Sequence, residues 1–283
     1  MTTDRAPAES DPAESDVAIL QEVAGRILSR TWGDNFHSGY WESDDDISPN
    51  EIAQWRMNDV MIKKLGVSRG QRVLDVGAGV GAPAFQLAEQ TGATVVGVAI
   101  TRSHVEEMRR RARQRGLDHL VSAELVDALA MPYPDDSFDA AWVVESFINI
   151  DRAPGLRAIA RVLKPGGRLL FTDVLQPTRP VADTDEARAE MLDTMEMGQL
   201  PTREQYLRWV RDAGFVDVEM IDITAHTRST GERIAAGIRE HYDTLVAELG
   251  PEGAEILEQM MTSIEVEYVL TTARLPEAGA ASS

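Results

Sequence analysis

"VLDVGAGVGAP", residues 73–83, runs an apolar strand into a helix through three glycines, Gly77, Gly79 and Gly81. Glycine at such a junction lets the backbone turn sharply and lets a ligand approach the main chain, while the helix N-terminus behind it favours a nearby anion. The spacing narrows the choice. A dinucleotide fingerprint reads G-x-G-x-x-G, with an acid about twenty residues further on. Here the pattern is G-x-G-x-G, and the acid, Asp75, stands just before the first glycine. A carboxylate there is poorly placed beside a pyrophosphate and well placed beside an ammonium or sulfonium group.

Outward from this loop, residues 72–175 alternate short β-branched runs with amphipathic helices. The strands read "RVLDVG", "TVVGVAI", "VSAELVD", "FDAAWVV" and "GRLLFTDV", separated by "PAFQLAEQTG", "SHVEEMRRRARQRG" and "APGLRAIARVLKPGG". Pro83 suits a first helical turn, and Ser103 with Glu106 matches a capping box. Such alternation needs right-handed crossovers and gives an α/β fold, a parallel sheet with helices on both faces. Upstream, residues 16–65 read as a helical N-terminal cap, with Ile52, Trp55, Val60, Met61 and Leu65 roughly along one face and Gly66 as a helix end. Downstream, two more strands, "VDVEMIDIT" and "EVEYVLTTARL", bracket residues 225–264, and a second helical insert occupies 176–214. Inserts of that length are usually lids or partner surfaces. Thr202 with Gln205 resembles a second capping box, and Trp209 is expected to pack inward from that helix.

The chain of 283 residues is long enough for a core without staples, and it has no cysteine, which excludes disulfides and thiolate metal sites. A net charge of −19 argues against nucleic acid as a partner. The basic run 109–115 reads as the solvated face of a helix. Residues 1–15, acidic and rich in Ala, Pro and Ser, and residues 276–283 are expected to be disordered tails, the first without signal-peptide character. No run approaches the ~18 apolar residues of a membrane span, so a soluble cytoplasmic protein is expected.

Three stretches in this order, "VLDVGAGVG", "VDALAMPYPDDSFDAAW" and "ARVLKPGGRLLFTDV", resemble the class I S-adenosylmethionine-dependent methyltransferases over about residues 30–275. "WGDNFHSGYWE", residues 32–42, is similar to the upstream segment of natural-product small-molecule methyltransferases, such as sugar O-methyltransferases of the rebeccamycin type. The resemblance implies a single methyltransferase domain over 16–275, a Rossmann-like, doubly wound, seven-stranded sheet, mostly parallel with the last strand antiparallel, carrying helical lid inserts. It implies S-adenosyl-L-methionine as cofactor. The Gly77–Gly81 loop would pass under its methionine part, with Asp75 shaping that pocket and Glu145 alongside. Asp127 would accept from the adenine amino group, Ala128 and Leu129 would contact the ring, and Tyr40 and Trp41 would close over the cofactor.

Two positions depart from the resemblance. The second strand ends in Ala99 where an acid usually holds the ribose, and His104 stands ready to bond a hydroxyl instead. After the fourth strand, "ESFINI" lacks the histidine that such enzymes use as base, and Asn149 cannot abstract a proton. Glu145, Asp173 or His37 would then be the catalytic base; or the acceptor, an amine or an electron-rich carbon, needs little help; or the fold binds cofactor without transferring methyl, as a cyclase would. A plain nicotinamide oxidoreductase is disfavoured by the glycine spacing and by Ala99. His226 and His241 lie in or beside the second insert, within possible reach of substrate. Met191, Met195 and Met197, with Tyr206 and Trp209, suggest a partly apolar small-molecule acceptor. No metal ligand is assigned, and a homodimer is left open as the assembly.

Overall fold

The computed structural model describes residues 35–177, 200–244, 246–247, 250–251 and 266–279. The chain divides into two compact units, Asp34–Thr230 with Ser263–Ser283, and Met1–Gly33 with Gly231–Thr262. The first holds the sheet. Its elements are α1 (Asn50–Leu65), β1 (Arg72–Val76), α2 (Ala82–Thr91), β2 (Thr94–Ala99), α3 (Arg102–Arg115), β3 (Val121–Leu125), β4 (Phe138–Val144), α4 (Arg152–Val162), β5 (Leu163–Leu175), α5 (Arg203–Asp212), β6 (Val216–Asp222), the short α6 (Thr224–Thr227) and β7 (Glu267–Arg274). A 3-10 turn at Phe147–Asn149 follows β4. Helix α7 (Ser229–Glu240) leads into the second unit.

The sheet order is β3-β2-β1-β4-β5-β7-β6. β1 to β5 pair in parallel, and β7 runs antiparallel to both β5 and β6. The order reverses between β1 and β4; in open α/β sheets ligands bind beyond the carboxyl ends of the strands at such a switch point. Side chains alternate across the pleat, so neighbours on one strand enter different cores. Val73, Trp142 and Leu170 pack with Met57, Met61 and Phe85 on one face. Leu74, Val143 and Phe171 pack with Phe147, Leu156 and Tyr206 on the other. Burial on both faces explains the near-continuous apolar strands of the sequence.

The helix boundaries read from the sequence form with one exception. Gly66 ends α1 in the left-handed region, Pro83 lies in the first turn of α2, and Thr202 with Gln205 forms a complete capping box on α5. The Ser103–Glu106 box does not form. α3 begins two residues earlier, with Thr101 at its cap in extended conformation and no side-chain cap bond, which puts Ser103 inside the first turn.

The N-terminal cap also differs from its reading. Residues 35–49 are irregular rather than helical, and the buried stripe of α1 is Ala53, Gln54, Met57, Asn58, Met61, Ile62 and Leu65. Ile52 is 46% exposed. Met61 and Leu65 lie on the stripe as read, whereas Ile52, Trp55 and Val60 flank it, because two of its members are amides, which a count of apolar residues passes over. Residues beyond β7 are not wholly loose, since Gly166 N donates to Pro276 O at 3.0 Å. The tail 1–15, residues 16–34 and Met191, Met195 and Met197 lie outside the described residues. Among those described, no helix is long and apolar enough to cross a membrane.

Removal of the α5 cap by Thr202→Ala is expected to cost about 1 kcal/mol. Urea unfolding would show it as a lower midpoint at unchanged slope.

Candidate active site

The glycine loop sits at the switch point. Gly77 N and Ala78 N both donate to Val98 O, at 2.9 and 3.1 Å, which folds the loop back over β2. Gly77 adopts φ 75°, and a Cβ there would lie 2.3 Å from Ser146 Oγ, so only glycine fits. Ser146 Oγ reaches Gly77 O at 3.0 Å. Gly79, at φ 51°, has nothing within 4 Å of where a Cβ would stand, which leaves this stretch of main chain open to a ligand. Gly81 then caps α2.

Asp75 lies just below this loop, 2% exposed and opposite Trp142 in the β1–β4 register. Its Oδ2 has no hydrogen-bond partner. Burial pushes its carboxyl up to about 7, against a smaller downward pull from the Trp142 indole, which lies close without reaching good hydrogen-bond geometry. A buried carboxylate with one oxygen unpartnered, under an open glycine, fits a cationic ligand group: a nearby positive charge would offset the cost of ionising it.

On the other side of the loop, Asp127 Oδ1 accepts from Leu129 N at 2.8 Å and its carbonyl from Ala130 N at 3.0 Å. The side chain thus builds the turn that follows β3. Ala128 is buried while Leu129 is 46% exposed, and Ile100, just after β2, is 73% exposed. Ile100 was not among the residues read from the sequence; its signal was an apolar side chain directly after the Ala99 strand end. His104 lies in the first turn of α3, an exposed residue whose partly desolvated ring is pushed below the usual histidine range.

The upstream segment is anchored from several directions. Gln54 Nε2 donates to Asn35 O and His37 O, at 2.5 and 3.1 Å, and Asn58 Nδ2 donates to Asn35 Oδ1 at 2.9 Å and to Gln86 Oε1 at 2.8 Å. These amides of α1 are fully buried and were missed as functional residues. His37 is 1% exposed and its Nδ1 donates to Ser38 O at 2.9 Å. Burial holds its pKa below the ordinary value, against the nearby Glu145 charge, so the ring is neutral near pH 7. Tyr40 stacks on His226, with centroids 4.1 Å apart and planes 13° off parallel. His226 Nδ1 also donates to Trp41 O at 2.7 Å. His226 therefore supports this segment. His241 belongs to the other unit and bonds to Gly237 O within its own helical turn.

Glu145 and Asp173 both sit at strand tips, in unlike surroundings. Glu145 is half-buried at the end of β4; Ser38 N donates to its Oε1 at 2.5 Å, and Tyr268 OH donates to the same oxygen. Its Oε2 carries no hydrogen bond among the described residues. Asp173 is 1% exposed. Arg152 grips it with two bonds of 2.8 and 3.2 Å, Tyr206 OH donates at 2.8 Å, and Val174 N at 2.8 Å. Burial and the Asp173 charge drive the Tyr206 hydroxyl well above its ordinary pKa, so it remains a donor. Trp209 packs beside Tyr206, at 5.8 Å. Among the described residues, no cluster of three or more His, Cys, Asp or Glu side chains could hold a metal ion.

A seven-stranded sheet with the last strand antiparallel, a glycine loop at its switch point and a buried acid with one unpartnered oxygen beneath that loop form a site suited to a ligand with a cationic group. Residues 74–171 match the methyltransferase domain family. The chain is 37% identical to methyltransferase GfsG of Streptomyces halstedii, over 94% of this chain and 96% of that protein. It is 31% identical to the 27-O-demethylrifamycin SV methyltransferase of Amycolatopsis mediterranei (strain S699), over 94% of this chain and 99% of that protein. The crystal structure of the [4+2]-cyclase SpnF superposes with a TM-score of 0.79 at 29% identity, covering 92% of this chain and 95% of that one. The chain belongs to the class I S-adenosylmethionine-dependent methyltransferases of natural-product pathways, and S-adenosylmethionine is its cofactor.

Two outcomes follow from the acids. Well below pH 4 the Asp75 carboxyl is neutral in folded and unfolded chains alike; as pH rises towards 7 the unfolded chain loses its proton first, so stability falls and then levels off. In the cofactor-free protein, Asp75→Asn is expected to flatten that slope, by an amount on the order of 4 kcal/mol between pH 4 and pH 8. Asp173→Ala, which strands the Arg152 charge, is expected to cost roughly 3–5 kcal/mol in urea unfolding. Full stability with lost activity would instead place Asp173 in the chemistry.

Proposed function

We propose that the protein methylates a hydroxyl oxygen of a small, partly apolar natural product, with Glu145 as proton acceptor. The observation that carries this reading is the contrast among the three candidate bases. Asp173 has its oxygens committed to Arg152, Tyr206 and the backbone, and His37 is sealed in the interior. Of the three, Glu145 alone combines residual exposure, an oxygen without a partner among the described residues and a position next to Ser146, the residue packed on Gly77.

The fit of the other residues is consistent with this. Asp75 with its unpartnered oxygen would face the cationic end of S-adenosylmethionine, the open main chain at Gly79 its methionine part, and Asp127, Ala128, Leu129 and Ile100 its adenine, with His104 at the ribose. Bound there, the cofactor supplies a methyl group on a sulfonium that is already an activated leaving group. Glu145 would accept the hydroxyl proton as the acceptor oxygen receives the methyl group in exchange for its proton, S-adenosylhomocysteine being the leaving group, and would then pass that proton to solvent. Alignment of the acceptor supplies the larger share, with effective molarities of ~10⁵ M or more, and a base adds ~10²–10⁴-fold. The acceptor class is supported by the likeness to a rifamycin O-methyltransferase.

A second reading, a methyltransferase-fold cyclase, is favoured by the likeness to SpnF. Release of S-adenosylhomocysteine separates the two. Demethylated macrolactones and ansamycins offering free hydroxyls are expected to yield a methylated product and one equivalent of S-adenosylhomocysteine, with Glu145→Gln lowering kcat by about 10²-fold or more. Release with amine or carbon nucleophiles alone would overturn the oxygen assignment, and cyclisation without release would establish the second reading.

A further inference from the structure

The upstream segment reaches the glycine loop through one continuous set of contacts. Ser38 N donates to Glu145 Oε1, Glu145 is followed by Ser146, and Ser146 packs on Gly77. Tyr268, on β7, donates its hydroxyl to the same Glu145 oxygen. Three parts of the chain far apart in sequence therefore meet on one carboxylate.

The backbone of Glu145 is unusual as well. Its φ is 50°, in the left-handed region that costs a non-glycine residue on the order of 1 kcal/mol or more. Its amide is held by Thr172 O and Thr172 Oγ1 at 3.2 and 3.3 Å. A conformation of this kind persists only where its surroundings over-determine it, and here they aim the side chain at Ser38 and Tyr268. Tyr268 itself is 3% exposed, in the core layer that includes Trp142 and Leu270. A phenylalanine would fill that apolar volume equally well. A hydroxyl buried there is worth keeping only for its bond, since an unmatched one would cost about 1–3 kcal/mol. Burial and the Glu145 charge keep it protonated, hence a donor.

We propose that Tyr268 is a positioning residue for cofactor binding: it fixes Glu145 so that the carboxylate holds residues 37–41 in place beside the glycine loop. The hydroxyl acts through Glu145 rather than on the reacting atoms. A charge-assisted bond between a carboxylate and a backbone amide is among the stronger contacts available to a segment with no regular structure of its own. This role does not depend on which atom accepts the methyl group, so it stands or falls separately from oxygen methylation.

The test is a double-mutant cycle on the full chain, with S-adenosylhomocysteine affinity measured by calorimetry for the native protein, Tyr268→Phe, Glu145→Ala and the pair. Each single change is expected to weaken binding about tenfold, and the pair to bind no more than a few-fold worse than Glu145→Ala alone. Amide hydrogen exchange in the cofactor-free proteins is expected to quicken at residues 37–41 in both single variants, with the strands still protected. Native affinity in Tyr268→Phe, or effects that multiply in the pair, would overturn the proposal. So would loss of protection spread across the whole sheet, which would mark Tyr268 as a simple core residue.

Discussion

The close approach of Ser146 to Gly77 fixes the geometry on which the rest of the site depends. It brings the tip of β4 against the turn that follows β1, where the strand order reverses, and it requires a residue without a side chain at φ 75°. Once that contact is made, Glu145 is placed directly after β4 at the switch point, with a positive φ and its amide bonded to Thr172. The 37–41 segment then has something to grip. A chain with a larger residue at 77 would have to move β4, and with it every group that β4 carries.

Two acids at strand tips show how burial separates structure from chemistry. Asp75 and Asp173 are almost equally hidden, yet Asp173 has Arg152, Tyr206 and a backbone amide, while Asp75 keeps one oxygen unpartnered and is pushed up to about 7. A paired buried charge is costly to disturb but chemically quiet. An unpaired one carries a desolvation cost that a cationic ligand can relieve, so the same residue type is a strut in β5 and a carboxyl with an uncommitted oxygen in β1.

The buried amides of α1 follow the same logic in a neutral form. Gln54 and Asn58 occupy core positions and offset their own desolvation by holding Asn35 and His37, which lie in a stretch without helix or strand. Buried polar groups retained with their partners specify one arrangement of a loop where apolar packing would accept several. Together with Glu145, Tyr268 and His226, they hold the segment that carries Tyr40 and Trp41 from both ends.

Much of this was legible in the chain itself. The strand–helix alternation, the glycine spacing with Asp75, and the caps at Gly66, Pro83 and Thr202 depend on local periodicity and backbone preference, which act over a few residues and are written in order. The Ser103 box and the face of α1 were misread for the same reason: capping needs the helix to start at a given residue, and a buried amide looks polar until its partner is known. The partners themselves, Tyr268 with Glu145, Arg152 with Asp173 and His226 with Tyr40, join residues far apart in sequence. The sequence alone therefore determined the sheet and the position of its glycine loop. Only the tertiary structure decided which acid is tied down and which is left available, because a charge is set by its neighbours in space.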